Sequence, residues 1–181
     1  LIEENKRILR AKKDPREFDY LYRKYFPMIN NFVFHRVEDE AVRQEIVSNV
    51  FYKAMNKLML FKILDAHRCT FASWLFRIAV NEINQYYREV KKRQKLADVL
   101  QWEGLPAPEE PLDFSAVKAV MTRLSEDEQT LLALRYFEKM KIKEIAQVMQ
   151  KKESAIKVRL HRTLKKMREM MEKEQTHEQA V

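Results

Sequence analysis

Glycine is almost absent from this chain of 181 residues: there is one, Gly104, alongside five prolines. That scarcity argues against architectures that need glycine for backbone freedom, namely hairpin-rich β folds, a dinucleotide-binding glycine fingerprint and a phosphate-cradling P-loop. A single cysteine, Cys69, rules out an internal disulfide framework and any paired-cysteine metal site. No run of eighteen or more apolar residues occurs, so membrane insertion is not expected and the chain reads as cytoplasmic. His35, His67, His161 and His177 lie far apart without metal-ligand spacing. Where two acids fall close together on the helical stretches they sit beside Lys or Arg, as solvated ion pairs do. No catalytic residue, metal or cofactor is therefore expected, and the chain does not read as an enzyme.

What is abundant is helix-forming sequence and positive charge. With 46% hydrophobic and 34% charged residues, the expectation is an all-α protein. Thirty-five Lys and Arg against 27 Asp and Glu give a net charge of +8, which points toward a polyanionic partner. The excess is unevenly distributed. Residues 1–97 carry 20 basic and 12 acidic side chains, and residues 114–181 carry 15 and 10. Between them, residues 98–113 have five acids, no Lys or Arg, the only glycine and three of the prolines. This composition predicts two small basic helical domains, 1–97 and 114–181, joined by a flexible acidic linker.

Apolar residues recur at helical spacing through both domains. Phe18, Leu21, Tyr22, Tyr25 and Phe26 form one stripe, which Pro27 is expected to interrupt or to restart. Ile46, Val47, Val50, Phe51, Ala54 and Leu58 form a second. Phe71, Trp74, Leu75, Ile78 and Ala79 form a third, running through Ile83 and Tyr86 into a basic cluster around Arg88, Lys91, Lys92 and Arg93. In the second domain, Ser125 and Glu128 have the spacing of a capping box, which predicts a helix from Glu126 to about Phe137. A short helix over Ile142 to Met149 and a longer one over Ser154 to Glu172 follow, separated by a tight connection, the arrangement of a helix-turn-helix. Ile156, Leu160, Leu164, Met167 and Met171 are the expected buried stripe of the last helix. On its opposite side Ser154, Lys157, Val158, His161, Arg162 and Lys165 form one polar, basic face. Such a face suits the major groove, with side chains near the helix start reaching base edges and cations further along neutralising phosphates.

Several strings resemble a known family. Phe18-Asp-Tyr-Leu-Tyr22, Val50-Phe51-Tyr-Lys-Ala54 and Phe71-Ala-Ser-Trp-Leu-Phe-Arg-Ile-Ala-Val-Asn81 resemble the promoter-melting region 2 of bacterial extracytoplasmic-function (group 4) sigma factors. Leu134-Arg-Tyr136, Glu144-Ile-Ala146 and Ala155-Ile-Lys-Val-Arg-Leu-His-Arg162 resemble their region 4 helix-turn-helix. The resemblance implies a dissociable subunit of core RNA polymerase. The first domain would grip the β′ clamp helices and open the minus-ten element of promoter DNA; the second would dock on the β flap and read the minus-thirty-five element. An anti-sigma factor is a further possible partner. The family's base-capturing asparagine falls on Asn81. Phe61, Asp65, His67 and Arg68 would complete that pocket, and Arg77, Arg88, Lys91, Lys92 and Arg93 would contact phosphates. In region 4 the resemblance adds Arg159, whose place on the flank of the face suits a phosphate or an intramolecular ion pair. Core-polymerase contacts would fall on Glu45, Ser48, Asn49 and Tyr52, where Ser48 and Asn49 replace the family's usual Gln and acid. The usual turn Leu-Gly-Ile-Ser is here Met149-Gln-Lys-Lys152, which loses a glycine and a capping serine. The competing readings are a dimeric helix-turn-helix regulator acting without the polymerase, and a helical adaptor whose basic faces only solvate it.

Overall fold

A computed structural model describes residues 2–63, 70–99 and 120–178, with side chains undescribed at residues 2, 95–99 and 173–178. The expected linker, 98–113, lies almost wholly outside the described residues. Among those described, every regular element is helical: α1 (Ile2–Lys13), α2 (Phe18–Phe34), α3 (Glu40–Lys57), α4 (Phe71–Val99), α5 (Glu126–Leu132), α6 (Ile142–Met149) and α7 (Glu153–Glu178), with short 3-10 turns at Pro15–Glu17 and Leu58–Leu60. The all-α expectation holds.

Helices α1 to α4 enclose one core. Leu21, Ile29, Phe32 and Val33 from α2, Val50 and Ala54 from α3, and Leu75, Phe76, Ala79 and Ile83 from α4 are sealed from solvent. Phe32 and Phe76 meet edge to face with centroids 5.4 Å apart. Asp39 starts α3 by accepting the Val42 N–H at 3.0 Å, the use of an N-cap carboxylate. Pro27 does not divide α2. The helix runs through it, at the cost of one backbone hydrogen bond, because Leu21 and Tyr25 before it and Ile29, Phe32 and Val33 after it are buried together.

The second half begins with Val120 and Leu124 buried, and with the expected capping box in place. The Ser125 N–H donates to Glu128 Oε2 at 2.8 Å, and the Glu128 N–H donates to Ser125 Oγ at 3.3 Å. Burial by itself would raise the Glu128 carboxyl, yet those bonds and Lys166 Nζ at 3.1 Å hold it below the usual carboxylate range. The helix expected to reach Phe137 widens instead into a π turn over Ala133–Phe137, closed by the Glu138 N–H on the Ala133 carbonyl at 3.1 Å. The buried stripe of α7 also departs from expectation. Ile156 and Thr163 are buried, whereas Leu164 is exposed, because α7 meets its neighbours along the 156, 160, 163 and 167 line.

Between α6 and α7, Gln150 holds a left-handed conformation at φ 54° and ψ 42°, and the Lys151 N–H reaches back to the Ala146 carbonyl at 3.0 Å. Lys152 occupies the N-cap position, since its carbonyl accepts the first bond of α7, from the Ile156 N–H at 3.1 Å, and lysine has no side-chain acceptor for the free N–H groups. Gln150→Gly and Lys152→Ser should therefore each stabilise the fold by about 1 kcal/mol. Thermal unfolding of the double variant is expected to move up by roughly 5 °C. An unchanged midpoint would show that the turn bears no such cost.

The two halves pack against each other, α4 on α6 and α2 on the π turn. Arg77 Nη2 donates to the Gln147 carbonyl at 2.7 Å, and Asn31 Nδ2 to Glu138 Oε1 at 2.8 Å. Arg36 Nη1 donates to Gln129 Oε1, and Lys91 pairs with Glu126. His35 stacks flat on Phe137, ring centroids 3.6 Å apart. Burial lowers the His35 pKa, so the ring is held neutral in that stack. Near the same seam Arg36 Nε and Nη2, Asn84 Oδ1 and Gln147 Oε1 are buried without hydrogen-bond partners. Groups left so cost about 1–3 kcal/mol each, which offsets part of what the two halves gain from sharing one buried apolar cluster.

Candidate nucleic-acid interface

Helix α7 presents the sequence-predicted face intact. Ile145, Ala146 and Val148 of α6 and Ile156 of α7 bury the inner sides of the pair, which fixes the rotation of α7. That leaves Ser154, Lys157, Val158, His161, Arg162 and Lys165 all exposed on the outer side. Lys165 reaches Glu169 only loosely, at 3.8 Å between two well-solvated side chains. Arg159 is drawn off this face and pairs with Asp127 in the first turn of α5, the intramolecular option of the two expected for it. Lys166 pairs with Glu128 in the same turn at 3.1 Å. The acidic start of α5 thus anchors one edge of α7 and sets the border of the basic face.

On α4 the expected contacts separate into two groups. Asn81 and Arg88 are exposed and, seven residues apart, share one strip of the helix, with Lys92 continuing it. Arg93 is also exposed. Arg77 is half-buried on the Gln147 carbonyl, and Lys91 is paired with Glu126, so both are engaged by the second half of the chain. Phe61 is buried, its ring against Phe71 at 5.4 Å and Trp74 at 5.3 Å, and its carbonyl accepts from Lys12 Nζ. Packed against Phe71 and Trp74, it offers no open base platform. Trp74, expected in the core, is partly buried there. Asp65, His67 and Arg68 lie outside the described residues.

A third surface is apolar. Tyr22, Phe26, Ser48, Phe51, Tyr52 and Met55 line a groove between α2 and α3. Tyr22 meets Phe51 edge-on at 4.7 Å, and Phe26 lies 5.3 Å from Tyr22. Tyr52 is 62% exposed at the groove's rim, on the same side of α3 as the exposed Glu45 and Ser48; Asn49 is half-buried beside them. Sequence reasoning singled out Glu45, Ser48, Asn49 and Tyr52 but read Tyr22 and Phe26 only as part of an apolar helical stripe. The available signal was aromatic excess: α2 carries more rings than its buried side accommodates. Among the described residues no group of His, Cys, Asp or Glu is placed to hold a metal ion, and no helix is long and apolar enough to cross a membrane.

Residues 21–93 match the family described as Sigma-70 region 2, and residues 114–167 match Sigma-70, region 4. RNA polymerase sigma factor YlaC of Bacillus subtilis (strain 168) is 28% identical over 168 residues, covering 87% of this chain and 94% of that one. The ECF RNA polymerase sigma factor SigX of the same organism is 25% identical, covering 86% and 84%. The RNA polymerase sigma-H factor of Pseudomonas aeruginosa is 29% identical, covering 82% and 83%. Among solved structures, the sigma factor RpoE in complex with the anti-sigma factor NepR from Bartonella quintana superposes with a TM-score of 0.67 at 20% identity, covering 87% of this chain and 98% of that one. CnrH in complex with the cytosolic domain of CnrY gives 0.65 at 21%, covering 90% and 92%. At that identity these two share the fold.

Proposed function

This chain belongs to the sigma-70 family, carrying its regions 2 and 4 in order, and we propose that its three exposed surfaces divide the work of an extracytoplasmic-function sigma factor. Such a subunit binds core RNA polymerase, directs it to promoter DNA and starts transcription. The observation that carries the assignment of surfaces is the basic outer face of α7, exposed along its length while the buried Ile156 and the acid-paired Arg159 are turned away from it. Lys157 reads a base edge of the minus-thirty-five element; Ser154, Val158, His161, Arg162 and Lys165 line the same groove, the last two on phosphates. Asn81 captures a minus-ten base, and Arg88, Lys92 and Arg93 hold the backbone beside it. Arg77 and Lys91 join them once freed from Gln147 and Glu126. The α2–α3 groove receives an apolar element of the polymerase.

The same reading assigns residues 1–97 to the polymerase-binding and melting domain and 114–181 to the helix-turn-helix domain, with 98–113 between them as an acidic linker whose charge repels DNA. Only about twenty residues separate the two matched regions, too few for an intervening domain, which supports group 4. Work on the chromosome places the factor in the cytoplasm, without catalysis of its own. By analogy with RpoE, solved with the anti-sigma factor NepR, and CnrH, solved with the cytosolic domain of CnrY, a protein that covers these surfaces is a further partner. The alternative of a dimeric regulator leaves the region 2 match unexplained.

Run-off transcription reconstituted with core polymerase tests the assignment. Lys157→Ala is expected to relax base preference at one promoter position, by about ten-fold in discrimination. Lys165→Ala is expected to weaken all templates alike and to reduce the salt dependence of binding by about one counterion. If both variants behave alike, α7 does not read bases through Lys157.

A further inference from the structure

Helix α7 carries an apolar side chain in the middle of its basic face. Val158 is 50% exposed, and it lies among Ser154, Lys157, His161 and Arg162, all exposed. It is neither in the buried core nor among the partly buried apolar side chains packed against it. Packing therefore does not account for it. Helix formation does not either, since a β-branched side chain loses rotamer freedom there. The buried Ile156 sets the rotation of α7 that points Val158 outward, and Arg159, one residue further on, pairs with Asp127 on the flank of the face.

The major groove offers hydrogen-bonding edges to polar side chains, and each neighbour of Val158 can use them. An isopropyl group cannot. Set against the acceptors of a purine or the amino group of cytosine, it would strip water from a polar edge and give no bond in return. The one apolar group on a base edge in that groove is the thymine C5-methyl. We propose that Val158 is a specificity-determining residue that packs on a thymine methyl in the upstream promoter element, next to the base pair read by Lys157. The proposal rests on α7 being the helix that enters the major groove.

The methyl contact can be removed without touching any hydrogen bond. Holoenzyme, assembled from core polymerase and the full chain, first selects its upstream element from a randomised duplex pool. Each thymidine of that element is then replaced singly by deoxyuridine, which lacks only the methyl. One position is expected to lose about four-fold in affinity, the value of one buried methyl-sized group. Val158→Ala, whose melting should match the parent because the side chain is exposed, should bind thymidine and deoxyuridine there equally. At the same position 5-methylcytosine should be preferred over cytosine by the parent and not by the variant. If no position loses its methyl sensitivity in Val158→Ala, the proposal is overturned. Failure of the underlying reading would look different: Lys157→Ala and Lys165→Ala would then leave binding to the selected element unchanged. If those two weaken binding while the methyl is ignored, the recognition helix stands and only the thymine contact falls.

Discussion

Tyr52→Ala is expected to weaken assembly with core RNA polymerase by about 30-fold or more, with no loss of fold stability. The ring is 62% exposed at the rim of the α2–α3 groove, so the free chain gains little from it. Its neighbours Tyr22 and Phe51 are already packed on each other, which leaves a firm concave surface beside an exposed ring of large area. Interfaces concentrate their energy in such aromatic anchors, where truncation costs about 2 kcal/mol or more. Ser48→Arg should act in the same direction by placing a bulky charge in the groove. The measurement is a titration of labelled core polymerase, with thermal unfolding of each free variant as the control. Tyr52→Ala binding as tightly as the parent would move the polymerase contact elsewhere. A parallel fall in melting temperature would mean that the ring supports the fold.

The seam between the two halves should open when the holoenzyme engages a promoter, with a change in distance of several tens of ångströms. Elements about 25 base pairs apart are separated by roughly 85 Å along the duplex. A single packed body of this length has a radius of gyration of only about 16 Å, so the docked arrangement cannot touch both elements at once. Labels at the exposed positions Asn56 of α3 and Arg168 of α7, in a Cys69→Ser background, should lie within the span of one compact body in the free chain. They should move beyond about 60 Å on promoter-bound holoenzyme, by the same duplex arithmetic. His35→Ala combined with Phe137→Ala removes the stack at the seam and should raise the scattering radius of the free chain. A free chain already extended, or labels that stay close on DNA, would contradict this.

Much of this arrangement is legible in the sequence, and the failures share a cause. The stripes of α2 and α3, the Ser125–Glu128 capping box and the outer face of α7 follow from spacing alone, because each helix there has one apolar side and one wet side. Helix α4 has three. Phe76 and Val80 are buried although they fall outside its main stripe, and Arg77 and Lys91 face the second half through polar contacts that leave no apolar period. A seam of hydrogen bonds is invisible to a hydrophobicity pattern. The Leu164 expectation failed for a related reason: Thr163 takes the buried position, and a polar residue in the contact line hides the true register. For Pro27 a local penalty was outweighed by the core on either side of it.

The acceptor in the Arg77 bond is the main-chain oxygen of Gln147, and Tyr87 likewise donates to the main-chain oxygen of Arg36. Every amino acid carries that oxygen. Position 147 can therefore drift without losing its bond, whereas Arg77 cannot; position 36 is held separately, by its own side-chain bond to Gln129. Heredity has a grip on only one side of the Arg77 contact. A screen for second-site suppressors of Arg77 or Tyr87 variants should accordingly return changes in packing around the seam, and no compensating exchange at the acceptor residue.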